Sequence, residues 1–214
     1  MKIFNKFIIP KRYKRSSLAI GNFDGIHKGH QRVFKNANKS AKRNKSKFGI
    51  LTFSPLPIMF FNKKIKNYRL TSENEKLRLL KKFGVDFVFN IKFNKNFSKM
   101  SANNFVSNII YKKINPARIF VSDNFKFGYK RKGNVELLRA FEKQCNYKLI
   151  KINPYKYKKK TVSSTRIRNL LKKGNIKLTN KLLAKTWMID GKVIKGKKIG
   201  RKLGYRTCNV RIKN

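Results

Sequence analysis

The chain has 214 residues, 40% of them apolar, which is enough for one substantial domain with a buried core. Its 56 Lys and Arg face 8 Asp and Glu, for a formal charge of +48, but the basic residues are dispersed, which favours a solvated basic surface over a dedicated nucleic-acid site. The two cysteines lack metal-ligand spacing and no apolar run approaches the ~20 residues of a membrane helix, which argues against a zinc site, a disulfide framework and a membrane span.

Short apolar segments alternate with helical segments, which is typical of a parallel α/β sheet. We predict buried strands where these segments are rich in β-branched or aromatic residues, at 17–21, 48–53, 85–91, 119–122 and 148–152. Helices are predicted between them at 29–44, 73–83, 102–114 and 134–145. Thr71 and Ser101 are placed to cap two of these helices. The pattern predicts an α/β domain with a Rossmann-like parallel sheet over residues 1–184.

The pattern changes from residue 161 onward. Ser163, Ser164 and Thr165 are typical of a cap that opens a helix, here predicted to run to residue 171 and to be followed by a helix at 176–184. The remaining segments are predicted as β structure at 187–194 and 207–212, and as Lys-rich loops at 156–160 and 194–202. We expect residues 185–214 to form a separate small β unit.

The segment GNFDGIHKGHQ, residues 21–31, lies between a predicted strand and a predicted helix, where open α/β sheets bind ligands. Both histidines of the chain, His27 and His30, fall here, spaced so that their rings lie on one side of the first helical turn. Gly25 allows close approach of a ligand, and a helix N-terminus suits phosphate. An ordinary strand–helix turn is the alternative, but two histidines beside Asp24 favour a phosphate site.

The residues from His27 to His30 match the HxGH motif, and the whole segment resembles the adenylyltransferase module of the bacterial FAD synthetase family (bifunctional riboflavin kinase/FMN adenylyltransferase). Further matches follow in order: TFSP at 52–55, LT at 70–71, EK at 75–76, GVD at 84–86, DNFKFG at 123–128 and VSSTRIR at 162–168. The resemblance covers essentially the whole chain. It implies a Rossmann-like HxGH nucleotidyltransferase domain that transfers the adenylyl group of ATP to FMN, giving FAD and pyrophosphate.

By this resemblance the catalytic residues are His27 and His30, which hydrogen-bond the ATP phosphates, and Arg168, which carries charge toward the departing pyrophosphate. The implied nucleotide-binding residues lie on two turns: Gly21, Asn22, Phe23, Asp24, Gly25, Ser163, Ser164, Thr165 and Arg166. A phosphate monoester has a second pKa near ~6, so the FMN phosphate needs no general base. Catalysis is then positioning plus electrostatic stabilisation. Mg²⁺ would arrive with ATP, and no metal site is predicted in the main site.

The resemblance also implies a flavin or nucleotide pocket formed by Pro55, Asp123, Asn124, Phe125 and Phe127. The chain departs from the family pattern at three positions. Asn124 stands where the family has Asp, Ser122 where it has Gly, and Leu56 where it has a polar residue. Asn124 keeps a hydrogen-bond acceptor of the same size but loses the charge.

Residues 191–196 and 200–210 resemble the opening of the riboflavin kinase barrel. Its usual Pro-Thr-Ala-Asn signature is Arg206-Thr207-Cys208-Asn209 here, so Thr207 and Asn209 form a vestigial Mg-ATP signature. The sequence ends before the rest of such a barrel, and we expect an incomplete β-barrel remnant at 185–214 without riboflavin kinase activity. The remnant is expected either to pack on the α/β domain through Trp187 or to be mobile.

Two other functions stay open. One is an HxGH enzyme that adenylylates another phosphate acceptor, such as a pantetheine or nicotinamide nucleotide, which the DNFKFG and TFSPLP segments disfavour. The other is a basic nucleic-acid-binding protein on a decayed α/β scaffold. We expect ATP and FMN as small-molecule partners, no specific nucleic acid, no membrane and a cytoplasmic location. The sequence does not indicate an oligomeric state.

Overall fold

A six-stranded parallel sheet forms the centre of the protein. The computed structural model describes residues 1–65, 68–196, 199–205 and 207–212. The strands lie in the order β1-β4-β3-β2-β5-β6, so that the connection order reverses at β2, which pairs with β3 on one side and β5 on the other. Their bounds are β1 Lys2–Phe4, β2 Ser17–Ile20, β3 Phe48–Ser54, β4 Phe87–Lys92, β5 Arg118–Ser122 and β6 Lys148–Ile152.

Helices connect the strands and cover both faces of the sheet, as parallel pairing requires. On one face Phe34 and Leu80 pack against Ile50, and on the other Leu51 packs with Ile110. The α/β class is therefore confirmed. The helices are α1 Lys28–Arg43, α2 Pro57–Phe61, α3 Glu73–Lys82, α4 Lys95–Ser98, α5 Ala102–Asn104 continuing as a π-helix over Phe105–Ile114, α6 Val135–Ala140, α7 Ser164–Lys172 and α8 Ile176–Leu183.

Several element boundaries differ from the prediction. The predicted cap Thr71 is wrong, because the Glu75 N–H donates to the hydroxyl of Ser72 (3.2 Å), whereas the Ser101 cap is confirmed by a bond from the Asn104 N–H (3.1 Å). The helix predicted over 134–145 ends at Ala140 and continues as turns. Strand β1 and helices α2 and α4 were not predicted, because segments of three to five residues are too short to show a period.

The Lys-rich segments are not simply loops. The first contains a short antiparallel pair, β7 Lys156–Tyr157 with β8 Lys160–Thr161, and the second contains α9 Ile199–Lys202. Two short strands, β9 Lys192–Ile194 and β10 Asn209–Arg211, pair antiparallel and form what we call the C-terminal hairpin. Lys197, Lys198 and Arg206 lie outside the described residues.

The segment before the C-terminal hairpin packs on the α/β domain, as predicted for Trp187. The indole N–H of Trp187 donates to the carbonyl of Leu70 (3.1 Å), and its backbone N–H donates to the side chain of Asn180 (2.8 Å). The hydroxyl of Ser72 donates to Asp190 (2.6 Å). Among the described helices, none has the length and apolar character needed to cross a membrane.

Candidate active site

Most of the predicted site residues lie along one edge of the sheet. β2 ends at Ile20 and continues as the loop that leads into α1, and β5 ends at Ser122 and continues as the loop over residues 123–128. These two strands are neighbours, and the strand order reverses between them. In open α/β sheets the crevice outside the carboxyl ends of strands at such a reversal is the usual ligand site.

The segment of residues 21–30, which we call the histidine loop, has a tightly determined backbone. Phe23, Gly25 and Ile26 all have positive φ angles, of 49°, 83° and 45°. A Cβ atom at Gly25 would lie 2.9 Å from the side chain of Leu70, so the position requires glycine both for its φ and for space. The loop is thus held in an unusual conformation by the groups packed around it.

The two histidines form a stacked pair at the start of α1. His27 caps the helix, its Nδ1 accepting from the His30 backbone N–H at 3.4 Å, and the ring centroids lie 3.7 Å apart with an interplanar angle of 20°. Because Nδ1 of His27 accepts, its proton resides on Nε2. Burial lowers the pKa of His27 to about 4. Burial, with the nearby His27 and Lys76, holds the pKa of His30 well below its usual value. Both imidazoles are therefore neutral hydrogen-bond donors near pH 7.

Asp24 and Arg168 form a buried ion pair that joins the histidine loop to α7. Asp24 accepts from Arg168 Nη2 and from the Leu70 N–H (3.0 Å). Arg168 also donates from Nε to the Tyr68 carbonyl (2.9 Å) and stacks on the Tyr68 ring, 3.7 Å from its centroid. Burial raises the pKa of Asp24, and the Arg168 charge opposes that rise. The structure brings both predicted residues to the site, where they bind each other.

The second predicted turn, at the start of α7, is also held by protein groups. The Ser163 hydroxyl accepts from the Arg166 N–H (3.2 Å) and caps the helix, while Ser164 donates its hydroxyl proton to the Asp24 carbonyl (2.9 Å). Arg166 Nη1 donates to carbonyls of the β7–β8 pair, including that of Lys160 (2.7 Å). Thr165 is exposed. Ser164 contacts the histidine loop, whereas Ser163 and Arg166 are engaged in local structure.

The predicted flavin pocket lies beyond β3 and β5. The rings of Phe125 and Phe127 stack with centroids 5.4 Å apart and an interplanar angle of 19°. Asp123 pairs with Lys151 (2.9 Å), and the amide oxygen of exposed Asn124 accepts from the Ser122 hydroxyl (3.0 Å). The two departures Ser122 and Asn124 therefore contact each other.

On the other side of β2, the chain leaves β3 through Pro55 and enters α2. Pro55 follows a cis peptide bond from Ser54 and is partly buried. Leu56 is fully packed, which explains an apolar side chain at that position.

Lys76 is a residue near the site that the sequence analysis did not assign a role. It lies on α3, is only 1% exposed, and donates from Nζ to the Thr52 hydroxyl (3.2 Å), which in turn donates to the Asn22 carbonyl of the histidine loop (3.1 Å). Burial lowers the pKa of Lys76 to about 8. The composition of the chain does not distinguish this lysine from its solvated neighbours, and the one signal was its place in the EK match at 75–76, to which no role was attached.

Thr207 and Asn209 are placed apart from this cluster. Asn209 pairs with Ile194 in the C-terminal hairpin, and both Thr207 and Asn209 are exposed. Within the part of the chain that is described, no group of three His, Cys, Asp or Glu side chains is arranged to hold a metal ion.

Fold and site together define a protein of the α/β nucleotidyltransferase class, with an HxGH turn at the reversal point of a parallel sheet. The chain belongs to the FAD synthetase family, whose model matches residues 9–166, and the riboflavin kinase family model matches residues 183–214.

Relatives and solved structures agree with this assignment. The bifunctional riboflavin kinase/FMN adenylyltransferase of Buchnera aphidicola subsp. Schizaphis graminum is 41% identical over 96% of this chain and 66% of its own length. That of Escherichia coli strain K12 is 32% identical over 90% of this chain and 62% of its own length. The chain thus spans slightly less than two thirds of these relatives.

Two solved structures share the fold. The crystal structure of a macrolide-efflux protein from Streptococcus pneumoniae superposes with a TM-score of 0.81 at 28% identity, covering 99% of this chain and 69% of its own. A pantoate-beta-alanine ligase from Francisella tularensis superposes with a TM-score of 0.52 at 15% identity, covering 95% and 85%, and is similar in fold alone.

Proposed function

We propose that this chain transfers the adenylyl group of ATP to FMN, giving FAD and pyrophosphate. The observation that carries the proposal is the stacked, neutral pair of His27 and His30 at the N-terminus of α1, at the point where the sheet order reverses. The names of the relatives, bifunctional riboflavin kinase/FMN adenylyltransferase, support the choice of FMN as acceptor.

The triphosphate of ATP binds against the start of α1, where backbone N–H groups and the helix dipole favour an anion. The Nε2–H of His27 and the ring of His30, which packs against His27 and Phe23, supply hydrogen bonds from neutral groups that are held in place. Fixed donors cost little reorganisation when charge develops in the transition state. The surrounding basic surface attracts both anionic substrates at long range.

In the reaction, an oxygen of the FMN phosphate attacks the α-phosphorus of ATP. A new P–O bond forms as the bond from the α-phosphorus to the bridging oxygen of the β-phosphate breaks, and pyrophosphate departs in line with the attack. Because the FMN phosphate is already ionised near neutral pH, no side chain has to remove a proton. The chain's own residues hold the two anions in contact and donate hydrogen bonds to the displaced charge.

Arg168 acts in this proposal through the histidine loop as well as through its charge. Its pairing with Asp24, and the Ser164 bond to the Asp24 carbonyl, fix the loop that carries His27. The remaining predicted nucleotide-binding residues lie along the same two turns: Gly21, Asn22, Phe23, Gly25, Ser163, Thr165 and Arg166.

Mg²⁺ would enter with ATP and neutralise part of the triphosphate charge. The ion commonly binds through substrate phosphates and one or two carboxylates. Asp24, the acid of the histidine loop, is already paired with Arg168. The donor set therefore fits an ion held mainly by the phosphates of its substrate.

The acceptor pocket is proposed at the stacked rings of Phe125 and Phe127, with Pro55, Asp123 and Asn124 around it. Flat aromatic rings suit the flavin ring system, since offset stacking is favourable. We place the end of the adenylyltransferase unit at residue 184, directly after α8. Thr207 and Asn209 have no role in the adenylyl transfer.

The direct test incubates the folded chain with ATP, Mg²⁺ and FMN, and follows FAD by chromatography together with pyrophosphate release. Parallel reactions replace FMN with phosphopantetheine or nicotinamide mononucleotide. FAD is the expected product. A folded protein that releases pyrophosphate only with another acceptor, or with none of the three, would contradict the proposal.

A further inference from the structure

Lys76 carries a positive charge in a place where charge is costly. Its side chain is 1% exposed, less than any other charged side chain described. Removing an ammonium group from water is expensive unless an opposite charge compensates, and an apolar residue of similar length often serves stability better. The burial of this lysine therefore calls for a reason other than the stability of the fold.

The charge of Lys76 has no direct ion-pair partner, although the carboxylates of Glu73 and Asp24 lie near enough to favour it. Among the described residues no carboxylate oxygen lies within 4.0 Å of its Nζ, and Thr52 is its one hydrogen-bond partner. The two nearest acids are already engaged. Glu73 accepts from Ser54 and Asn90, and Asp24 accepts from Leu70 and Arg168. An ammonium group has three N–H donors, and two of those of Lys76 have no acceptor among the described residues.

The ammonium group lies directly behind the histidine loop. The Thr52 hydroxyl accepts from Lys76 and donates to the Asn22 carbonyl, so that a two-bond chain of 3.2 and 3.1 Å connects α3 to the loop. The Lys76 charge also acts on His30, whose ring lies close enough for its pKa to be lowered by that charge.

Among the described buried side chains of the triphosphate site, Lys76 is the one charged group without a direct ion-pair partner. His27 and His30 are neutral, and Arg168 is paired with Asp24. Neutral donors hydrogen-bond a phosphate but do not offset its charge. The ammonium group of Lys76 behind the loop supplies positive charge for the phosphates, and charge interactions are strong where water is excluded.

We propose that Lys76 is a positioning residue of the triphosphate site. Its ammonium group fixes Asn22 through Thr52 and supplies a buried positive charge, which the negative charge of the ATP phosphates balances. This inference rests on the proposed use of ATP, but not on FMN as the acceptor.

The test measures equilibrium binding of a non-hydrolysable ATP analogue, in the absence of FMN, to the full chain and to Lys76→Met. Methionine keeps the length and helix propensity of lysine and removes the charge. The matched control is Lys82→Met, which removes one exposed charge from the same helix. We expect Lys76→Met to bind the analogue about tenfold or more weakly, as for a lost charged hydrogen bond, with FMN binding unchanged and Lys82→Met like the parent chain.

The pH dependence of analogue affinity distinguishes a lysine that acts on the phosphates from one with a structural role alone. Since burial lowers the pKa of Lys76 to about 8, affinity for the analogue should fall as the pH rises through about 8, and this fall should be absent in Lys76→Met. The other groups that face Lys76 are His30, Arg69, Glu73 and Asp24, all of which remain in the variant. The difference between the two pH curves of affinity, for the parent chain and for Lys76→Met, therefore reports the titration of Lys76.

Two binding results would overturn the inference. In the first, Lys76→Met binds the analogue with an affinity within about twofold of that of the parent chain. In the second, Lys76→Met and Lys82→Met weaken binding equally, which would mean that only the net charge of the protein matters. If Lys76→Met does not fold, the pH series on Lys82→Met and the variant Thr52→Val decide. Constant affinity from about pH 7 to 9, or Thr52→Val with unchanged affinity for the analogue, overturns it. A parent chain that binds the analogue but makes no FAD refutes the acceptor and leaves the Lys76 result intact, whereas no binding at all refutes both.

Discussion

The histidine loop and the C-terminal hairpin are stabilised in opposite ways. In the loop, Phe23, Asp24 and His27 are buried, and Asp24 is bound by Leu70 and Ser164 from distant parts of the chain. In the hairpin, Val193 is 64% and Val210 48% exposed. Long-range contacts therefore make the loop rigid, whereas the hairpin, which is held mainly by its own strand pairing, should open more easily.

The distances along the chain make the contrast concrete. The Arg168–Asp24 pair joins residues 144 positions apart, and Gln31 donates to the Leu183 carbonyl across 152 positions. Among the described strands, by comparison, those of the hairpin pair with each other, over Lys192–Ile194 and Asn209–Arg211, and with no other. Substitutions in the loop should therefore affect the whole domain, and substitutions in the hairpin should act locally.

The largest effect is expected when the buried ion pair is broken. Arg168→Met leaves the Asp24 carboxylate buried without its partner, which should lower the free energy of unfolding by about 3–5 kcal/mol. Urea unfolding followed by the fluorescence of Trp187, the single tryptophan, measures it. Exposed Lys172→Met on the same helix is the control, expected within about 0.5 kcal/mol of the parent. The variant Asp24→Asn/Arg168→Met should recover part of the loss; a decrease below about 1 kcal/mol in the single variant would show that the pair contributes little.

The next largest effect concerns catalysis. His30→Ala should reduce turnover of FMN and ATP by about 10²–10³, because a fixed donor to the developing charge is removed, while FMN affinity stays the same. Steady-state FAD formation and FMN titration separate the two quantities. Lys35→Ala, an exposed change on the same helix, serves as the control. A loss of less than about tenfold, equivalent to ~1.4 kcal/mol of barrier, is incompatible with the role given to His30.

The same histidines make the loop sensitive to acid. The folded pKa of His27 is about 4, below its ordinary value of 6.5, so between these pH values the unfolded chain binds a proton that the folded chain does not. The contribution of His27 to the free energy of unfolding should therefore be fully present above about pH 6.5 and decrease as the pH falls toward 4. His27→Asn should show a smaller fall in urea unfolding over that range, and an equal fall would argue against a neutral, buried His27.

The smallest effect uses two glycines with the same backbone conformation. Gly25 and Gly204 have φ angles of 83° and 81°, but a Cβ at Gly25 meets Leu70 at 2.9 Å, whereas none of the described atoms lies within 4 Å of one at Gly204. Gly25→Ala should lower the free energy of unfolding by about 2 kcal/mol, from φ strain plus overpacking. Gly204→Ala carries only the φ cost, and it should leave the unfolding of the α/β domain unchanged. Equal shifts in the urea midpoint would remove the distinction between the two regions.

Local sequence patterns were sufficient where the structure itself is local. The strand before Gly21 and the helix after His27 were predicted from apolar runs, glycines and a helix start, and the structure confirms both as β2 and α1. The Ser101 cap was predicted for the same reason. Thr71 failed as a cap because two adjacent hydroxyl residues offer the same local signal, and only the backbone geometry selects Ser72.

By itself, the sequence determined that this is an α/β protein, where its HxGH turn lies and which side chains that turn contains. It did not determine how those side chains behave. Only the tertiary structure decided that Asp24 pairs with Arg168, that both histidines are neutral, and that Lys76 keeps a buried charge behind the loop. The physical reason is that protonation and pairing depend on burial and on neighbours brought from distant parts of the chain, whereas helices, strands and turns depend on the order of adjacent residues.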